Sequence, residues 1–245
     1  MLRQRIAVPS GFTLVEMAMV VLIMGLLLGG GLGVVSVQIE QQKIKDTRKA
    51  LDEAREAVMG FGLSHTESNP PATRPFLPCP DKTVAAGVGA PNDGQEDRNP
   101  VGTCVVQEGN LPWVTLGFNG LDGWGNRLRY RVTPAFANSA TGFLLTTAGN
   151  ITINNRAGAA VATAIPVVVL SHGPNRFGAT TGGGAVTPAP PPANLAEVEN
   201  TDGDAIFVSD SPTDTTAPTG AFDDVVAWLS SAQLVNRMVQ ASRLP

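Results

Sequence analysis

The sequence predicts an α+β protein: a long N-terminal helix, with a transmembrane half and an amphipathic half, packed on a small antiparallel β-sheet head with long loops. Three observations predict it. Residues 17–37 are 21 consecutive positions without an Asp, Glu, Lys or Arg, ~31 Å as a helix and enough for one bilayer crossing. Beyond them Ile44, Leu51, Ala54, Val58 and Phe61 recur at helical spacing, while Lys43, Lys45, Arg48, Lys49, Asp52, Glu53, Arg55 and Glu56 occupy the remaining surface, the pattern of an amphipathic helix. The rest of the chain, with most of its 27 Gly and 19 Pro, breaks into short runs between turns, which favours a loop-rich sheet over a helical bundle.

The elements follow in order. Arg3 and Arg5 precede the apolar run, a bias that keeps the amino end cytoplasmic and sends the remainder outward. A cleaved secretory signal would have a shorter apolar region and a small-x-small site after it; Val34-Val35-Ser36 matches that weakly. The amphipathic helix is expected to end at Gly60 and Gly62, before Asn69-Pro70-Pro71. Residues 64–110 read as an irregular loop, since Pro75, Pro78, Pro80, Pro91 and Pro100 leave little room for regular elements. Strands are expected at 127–133, 142–147, 151–154, 165–170 and 225–229, separated by turn signals such as Asp122-Gly123 and Gly149-Asn150. Residues 180–194 (TTGGGAVTPAPPPAN) read as a mobile surface insert that builds no core. Ser231 is placed to cap a last helix reaching about residue 242.

The formal charge is −4, and losing Arg3 and Arg5 with a leader makes it −6. Such a balance argues against nucleic acid as the main partner. Catalytic signatures are missing: the sequence has no G-x-S-x-G, H-E-x-x-H, P-loop or helix-opening G-x-G-x-x-G. Its histidines, His65 and His172, sit in no motif. Ser171 adjoins His172, but neighbours on an extended chain point to opposite faces. The chain is therefore read as a non-enzyme.

The most specific signal is Gly11-Phe12-Thr13-Leu14-Val15-Glu16, running directly into the apolar stretch. A carboxylate in mid-bilayer costs ~2.5–3.5 kcal/mol on insertion scales, so something should compensate Glu16. Cleavage after Gly11 would do so, because the new ammonium of Phe12 lies four residues before Glu16, one helical turn away. Basic leader, Gly, Phe, Thr-Leu-Val-Glu and apolar run together resemble the type III signal of type IV pilins and type II secretion pseudopilins. That resemblance implies a membrane aspartyl peptidase that cuts after Gly11 and N-methylates Phe12. It also implies that Glu16 neutralises the amino terminus of a neighbouring subunit during assembly. The organisation implied is a leader (1–11), a transmembrane and filament-core helix (12–37), an amphipathic helix (38–63) and an α+β head (64–245), the pilin fold. The expected protein is a filament subunit, held in the bacterial inner membrane by a single pass with its head in the periplasm before assembly. Its partners would be copies of itself, related subunits, the prepilin peptidase and methyltransferase, and an inner-membrane assembly platform.

Asp122-Gly123-Trp124-Gly125-Asn126, leading into Arg127-Leu128-Arg129-Tyr130, is similar to a turn shared by major pseudopilins and favours a secretion pseudopilin over a pilus subunit. The order of Asn175, Asp202, Asp204, Asp223 and Asp224 resembles the region where that group coordinates calcium, a hard cation that wants six to eight oxygens. The proline-rich insert makes the spacing uninformative. A second acidic loop, 92–97, resembles a calcium loop without its full pattern. Cys79 and Cys104 both lie in the exported part. An even count there predicts a Cys79–Cys104 disulfide, worth roughly 3 kcal/mol on the chain-entropy model. A different class of reading is an anchored periplasmic binding or hydrolytic domain, for which Glu16 is dispensable.

Overall fold

A computed structural model describes residues 11–69 and 73–244, with side chains throughout except 27–35. Arg3, Arg5, Pro70 and Pro71 lie outside the described residues. The chain divides into two compact units, Met1–Gln42 and Lys43–Pro245. Helix α1 is Leu14–Ser64.

In the first unit the side chains of α1 from Leu14 to Leu26 are exposed and, apart from Glu16, apolar: Leu14 is 86%, Val21 66% and Leu26 70% exposed. No helix among the described residues is long and apolar enough to cross a membrane. This corrects the expected transmembrane helix at 12–37, the pilin fold built on it and the single-pass inner-membrane localisation. The described side chains from Leu14 to Leu26 are apolar except Glu16, whose carboxylate in the first turn of α1 counts against burial in hydrocarbon.

The second unit is an α+β body. After the last turns of α1 come β1 (Glu108–Asn110), α2 (Trp113–Leu116), β2 (Asn126–Arg127), β3 (Arg129–Val132) and α3 (Pro134–Ala137). Then follow β4 (Ile151–Asn154), β5 (Ala160–Ile165), β6 (Val167–Ser171), β7 (Thr180–Thr181) and α4 (Leu195–Glu199). The chain closes with β8 (Ile206–Val208), β9 (Val225–Leu229) and α5 (Ser231–Gln240). The main sheet is antiparallel, in the order β1-β3-β6-β9. A second sheet, β5-β4-β8, is mixed because β4 and β8 run parallel, and β2 pairs with β7.

Strand β6 explains the layering. Its residues alternate between two cores: Val167 and Val169 pack with Leu51, Ala54 and Val58 of α1 and Leu234 and Met238 of α5. Val168 and Leu170 face Ile151, Ile153, Ile165 and Phe207. A strand covered on both faces is apolar at successive positions, which is why the run reads Val-Val-Val-Leu. Each such side chain, fully buried, contributes ~1.5–3 kcal/mol. Cys79 and Cys104 are disulfide-bonded, as predicted.

The structure departs from the sequence reading in several places. Helix α1 does not stop at Gly60; Gly62 lies inside it, where an added Cβ would come within 3.0 Å of Met238 and 3.2 Å of Leu77. That glycine lets α1 approach α5 and the loop closely. Residues 142–147 form no strand, and the chain turns at Leu145 and Thr146. Gly142 is at φ 58°, and the following pair, Leu144 and Leu145, is exposed on both sides (41% and 44%) with no alternation. Ser230, one residue earlier than expected, caps α5: its hydroxyl accepts the Gln233 N–H while Gln233 reaches back. Residues 180–194 are docked and not a detached insert. Thr180 and Thr181 pair with Arg127 and Asn126. The Gly178 and Thr187 amides donate to Pro188 and Ala179 carbonyls at 2.8 and 2.9 Å, and Pro190 is buried.

Candidate functional site

At the head of α1, Gly11 and Phe12 precede the helix and both are exposed, Phe12 by 81%. Thr13 and Glu16 form a reciprocal cap. The Thr13 amide and hydroxyl both donate to Glu16 Oε2 at 2.8 Å, and the Glu16 amide donates to Thr13 Oγ1 at 3.3 Å. This arrangement satisfies helix-end donors that have no intrahelical partner. Glu16 thus has a local role in starting the helix as well as a charge exposed to other molecules.

The Asp122–Asn126 turn is a hub. Asp122 Oδ1 accepts from the amides of Trp124 and Asn126, each at 2.9 Å, and Oδ2 accepts from Ser171 Oγ at 2.7 Å. Ser171 Oγ in turn accepts from the Gly173 amide at 3.2 Å. The serine therefore serves the turn and leaves His172, whose Nδ1 is 3.6 Å from Asp224 Oδ1. Ser171 and His172 are no dyad. His65 stacks on Phe61 with ring centroids 3.8 Å apart. Trp113 is covered by the Arg127 guanidinium, 3.6 Å above its ring, and by Gly94 and Gly120, a packing arrangement and not an open aromatic platform.

The acidic residues sort into two groups. Asp223 and Asp224 meet Glu197, with carboxylate oxygens all within 4.8 Å of one another, and Asp202 and Asp204 meet Glu199 in the same way. The set expected from sequence is therefore split: Asn175 belongs with the first group, Asp202 and Asp204 with the second. Asn175 binds the first group twice, its Nδ2 donating to Glu197 Oε1 at 2.5 Å and its amide to Asp223 Oδ2 at 3.1 Å. Asn194 Nδ2 donates to Glu197 Oε2 at 2.8 Å, and Asn200 Nδ2 to Asp224 Oδ2 at 2.8 Å. Asp224 Oδ1 is buried without a hydrogen bond, and neither Glu197 nor Asp224 has a Lys or Arg partner among the described residues. Burial, and then the neighbouring Asp224 charge, raise the Glu197 carboxyl above its ordinary range against the pull of the two amides.

Sequence reading missed Glu197 and Glu199 as members of these groups, and His172 as the neighbour of Asp224. Glu197 stands on the one-turn helix α4, which the proline-rich segment delivers to the body; no spacing rule announces that. The donor set of the first group, carboxylates with one bare oxygen, suits a hard cation, which prefers oxygen. The second group is more open, with Asp202 and Asp204 exposed. The 92–97 loop is used otherwise: Asp97 Oδ2 accepts the Lys82 amide at 2.8 Å, and Lys82 Nζ lies 3.7 Å from Asp97 Oδ1, both side chains buried.

No family model, no curated protein and no solved structure matches this chain.

Proposed function

We propose that this protein is a structural subunit of a type IV-like filament. A prepilin-type peptidase cuts it after Gly11 and methylates Phe12, and it assembles through the N-terminal part of α1. The observation that carries this reading is the exposed apolar surface from Phe12 to Leu26, joined directly to the Gly11–Glu16 junction. A helix surface that is apolar and exposed among the described residues gains from an outside partner. Equivalent helices of further copies supply one.

In the assembled state the Phe12 ammonium of one copy meets Glu16 of the next. An unpaired charge in a dry helical core is strongly unfavourable, so this pairing fixes position. The turn at Asp122–Asn126 supports a type II secretion pseudopilin within this group; a pilus subunit, major or minor, is the second reading, favoured by the disulfide-closed loop at 79–104. The protein's partners are copies of itself, related subunits, the peptidase and an assembly platform. The head holds a calcium-type cation at Glu197, Asp223 and Asp224, with Asn175 bracing the ligands.

Glu16 offers a direct test, because its two roles separate. Glu16→Gln preserves a capping side chain, which Gln performs as well, and removes the charge. Glu16→Ala removes both. The charge role predicts that both variants are cleaved yet fail to form filaments. Normal filaments from Glu16→Gln would leave Glu16 as a helix cap only.

A further inference from the structure

Bare polar atoms face each other at one end of the main sheet. Strands β6 and β9 pair with Ser171 opposite Val225, and the same register continued by one residue sets His172 opposite Asp224. Both side chains are 1% exposed. Neither ring nitrogen of His172 has a hydrogen bond among the described residues, and Asp224 Oδ1 has none either. Buried polar atoms without partners are costly, so a cluster of them calls for something to bind. Gly173 brings the backbone close: it turns at φ 58°, and a Cβ there would stand 2.4 Å from the Asp223 carbonyl oxygen.

The spacing of these atoms points to what that is. His172 Nδ1 and Asp224 Oδ1 are 3.6 Å apart. A charged imidazolium donating to a carboxylate closes to ~2.7–2.9 Å, so a direct ion pair does not account for the gap. Two ligands each ~2.1 Å from one tetrahedral ion lie ~3.4 Å apart. Carboxylate oxygens of Glu197 and Asp223 lie within 4.8 Å of an Asp224 oxygen. The amides of Asn175, Asn194 and Asn200 hold Glu197 and Asp224 in place, as hydrogen bonds behind metal ligands commonly do.

We infer that His172 is a nitrogen ligand and that this group takes a zinc-class divalent ion between His172 and Asp224, with Glu197 and Asp223 supplying further oxygens. The inference rests on the cation reading of the same carboxylates and changes which ion they favour. Imidazole suits zinc and its transition-metal neighbours, whereas calcium takes oxygen ligands. Calcium can therefore use only the carboxylates, and zinc uses the imidazole as well. Removing the imidazole should separate the two ions.

Titration of the full-length chain, held in mild detergent and stripped with EDTA, tests this with zinc chloride and with calcium chloride. Zinc is expected to bind, and His172→Asn to weaken it by roughly ten-fold or more while calcium affinity changes by less than about two-fold. His65→Asn, which alters the other of the two histidines, should leave zinc binding unchanged. Ring-nitrogen NMR of the unaltered chain checks the ligand without any variant: zinc should shift the His172 signals and leave those of His65. Equal zinc binding by wild type and His172→Asn, or unmoved His172 signals at saturating zinc, overturns the nitrogen ligand; calcium binding that persists in that case keeps the carboxylate site. Loss of zinc in His65→Asn overturns it too, by showing an ion bound elsewhere. A chain that binds neither ion overturns the cation reading along with the inference.

Discussion

Gly123 lies directly on the helix beside Thr47: its amide donates to Thr47 Oγ1 at 2.9 Å, and a Cβ at Gly123 would stand 2.3 Å from the Lys43 carbonyl oxygen. Thr47 is fully buried, and its hydroxyl donates a hydrogen bond to that same carbonyl at 2.8 Å. The Asp122–Asn126 turn is thereby clamped to α1, and through Ser171 and Gly173 the clamp reaches the strand end next to Asp223. A residue with a side chain at 123 must push the turn off the helix.

Gly123→Ala is therefore expected to destabilise the head by about 1–3 kcal/mol through overpacking, and Thr47→Val by ~1–3 kcal/mol through the buried amide left unpaired. Denaturant unfolding of both variants checks this. The pair should be less than additive, since each breaks the same contact.

Asp81 makes stability depend on pH. It is fully buried, and burial raises its carboxyl to about 6 despite hydrogen bonds from Gly94 and Asn110. Its folded value lies above the unfolded one of ~3.9, so the unfolded chain loses this proton first as pH rises. The contribution of Asp81 to stability is consequently highest at pH 4 and below, falls between about 4 and 6, and is flat above. Asp81→Asn should flatten that interval and stabilise the head at pH 7, by ~3 kcal/mol at most. Unfolding free energies measured across pH 4–8 for both proteins test the sign.

The carboxylate group at Glu197, Asp223 and Asp224 predicts a response to calcium. Adding calcium at a hundred times its dissociation constant should stabilise the head by ~2.7 kcal/mol, and chelation should reverse it. Glu197→Gln or Asp224→Asn should abolish the response, whereas Asp202→Asn with Asp204→Asn should leave it. Thermal unfolding with calcium and with chelator discriminates the two groups. An identical curve in both conditions removes calcium from the account.

Much of this was legible in the residues. The stripe through Leu51, Ala54 and Val58 marks the buried face of α1, the run at 165–170 marks a strand, and the cysteine pair marks its own bond. What was not legible depended on contacts distant in sequence. Gly62 reads as a helix terminator until Met238 and Leu77 are placed against it. Residues 180–194 have no apolar pattern because they are held by backbone hydrogen bonds and a two-residue pairing with Asn126 and Arg127. Glu197 looks like a surface acid until its short helix is set down between Asn175 and Asp224. The apolar run at 17–37 reads as a membrane crossing, and no helix among the described residues meets that requirement.

The central claim is that the chain is cut and then built into a filament through its new end. Intact-mass and fragment mass spectrometry of the native protein, recovered from cells, tests this most directly. The account predicts a chain that begins at Phe12 and carries a methyl group on its amino nitrogen. A chain still beginning at residue 1, or one cut elsewhere such as after Ser36, contradicts it.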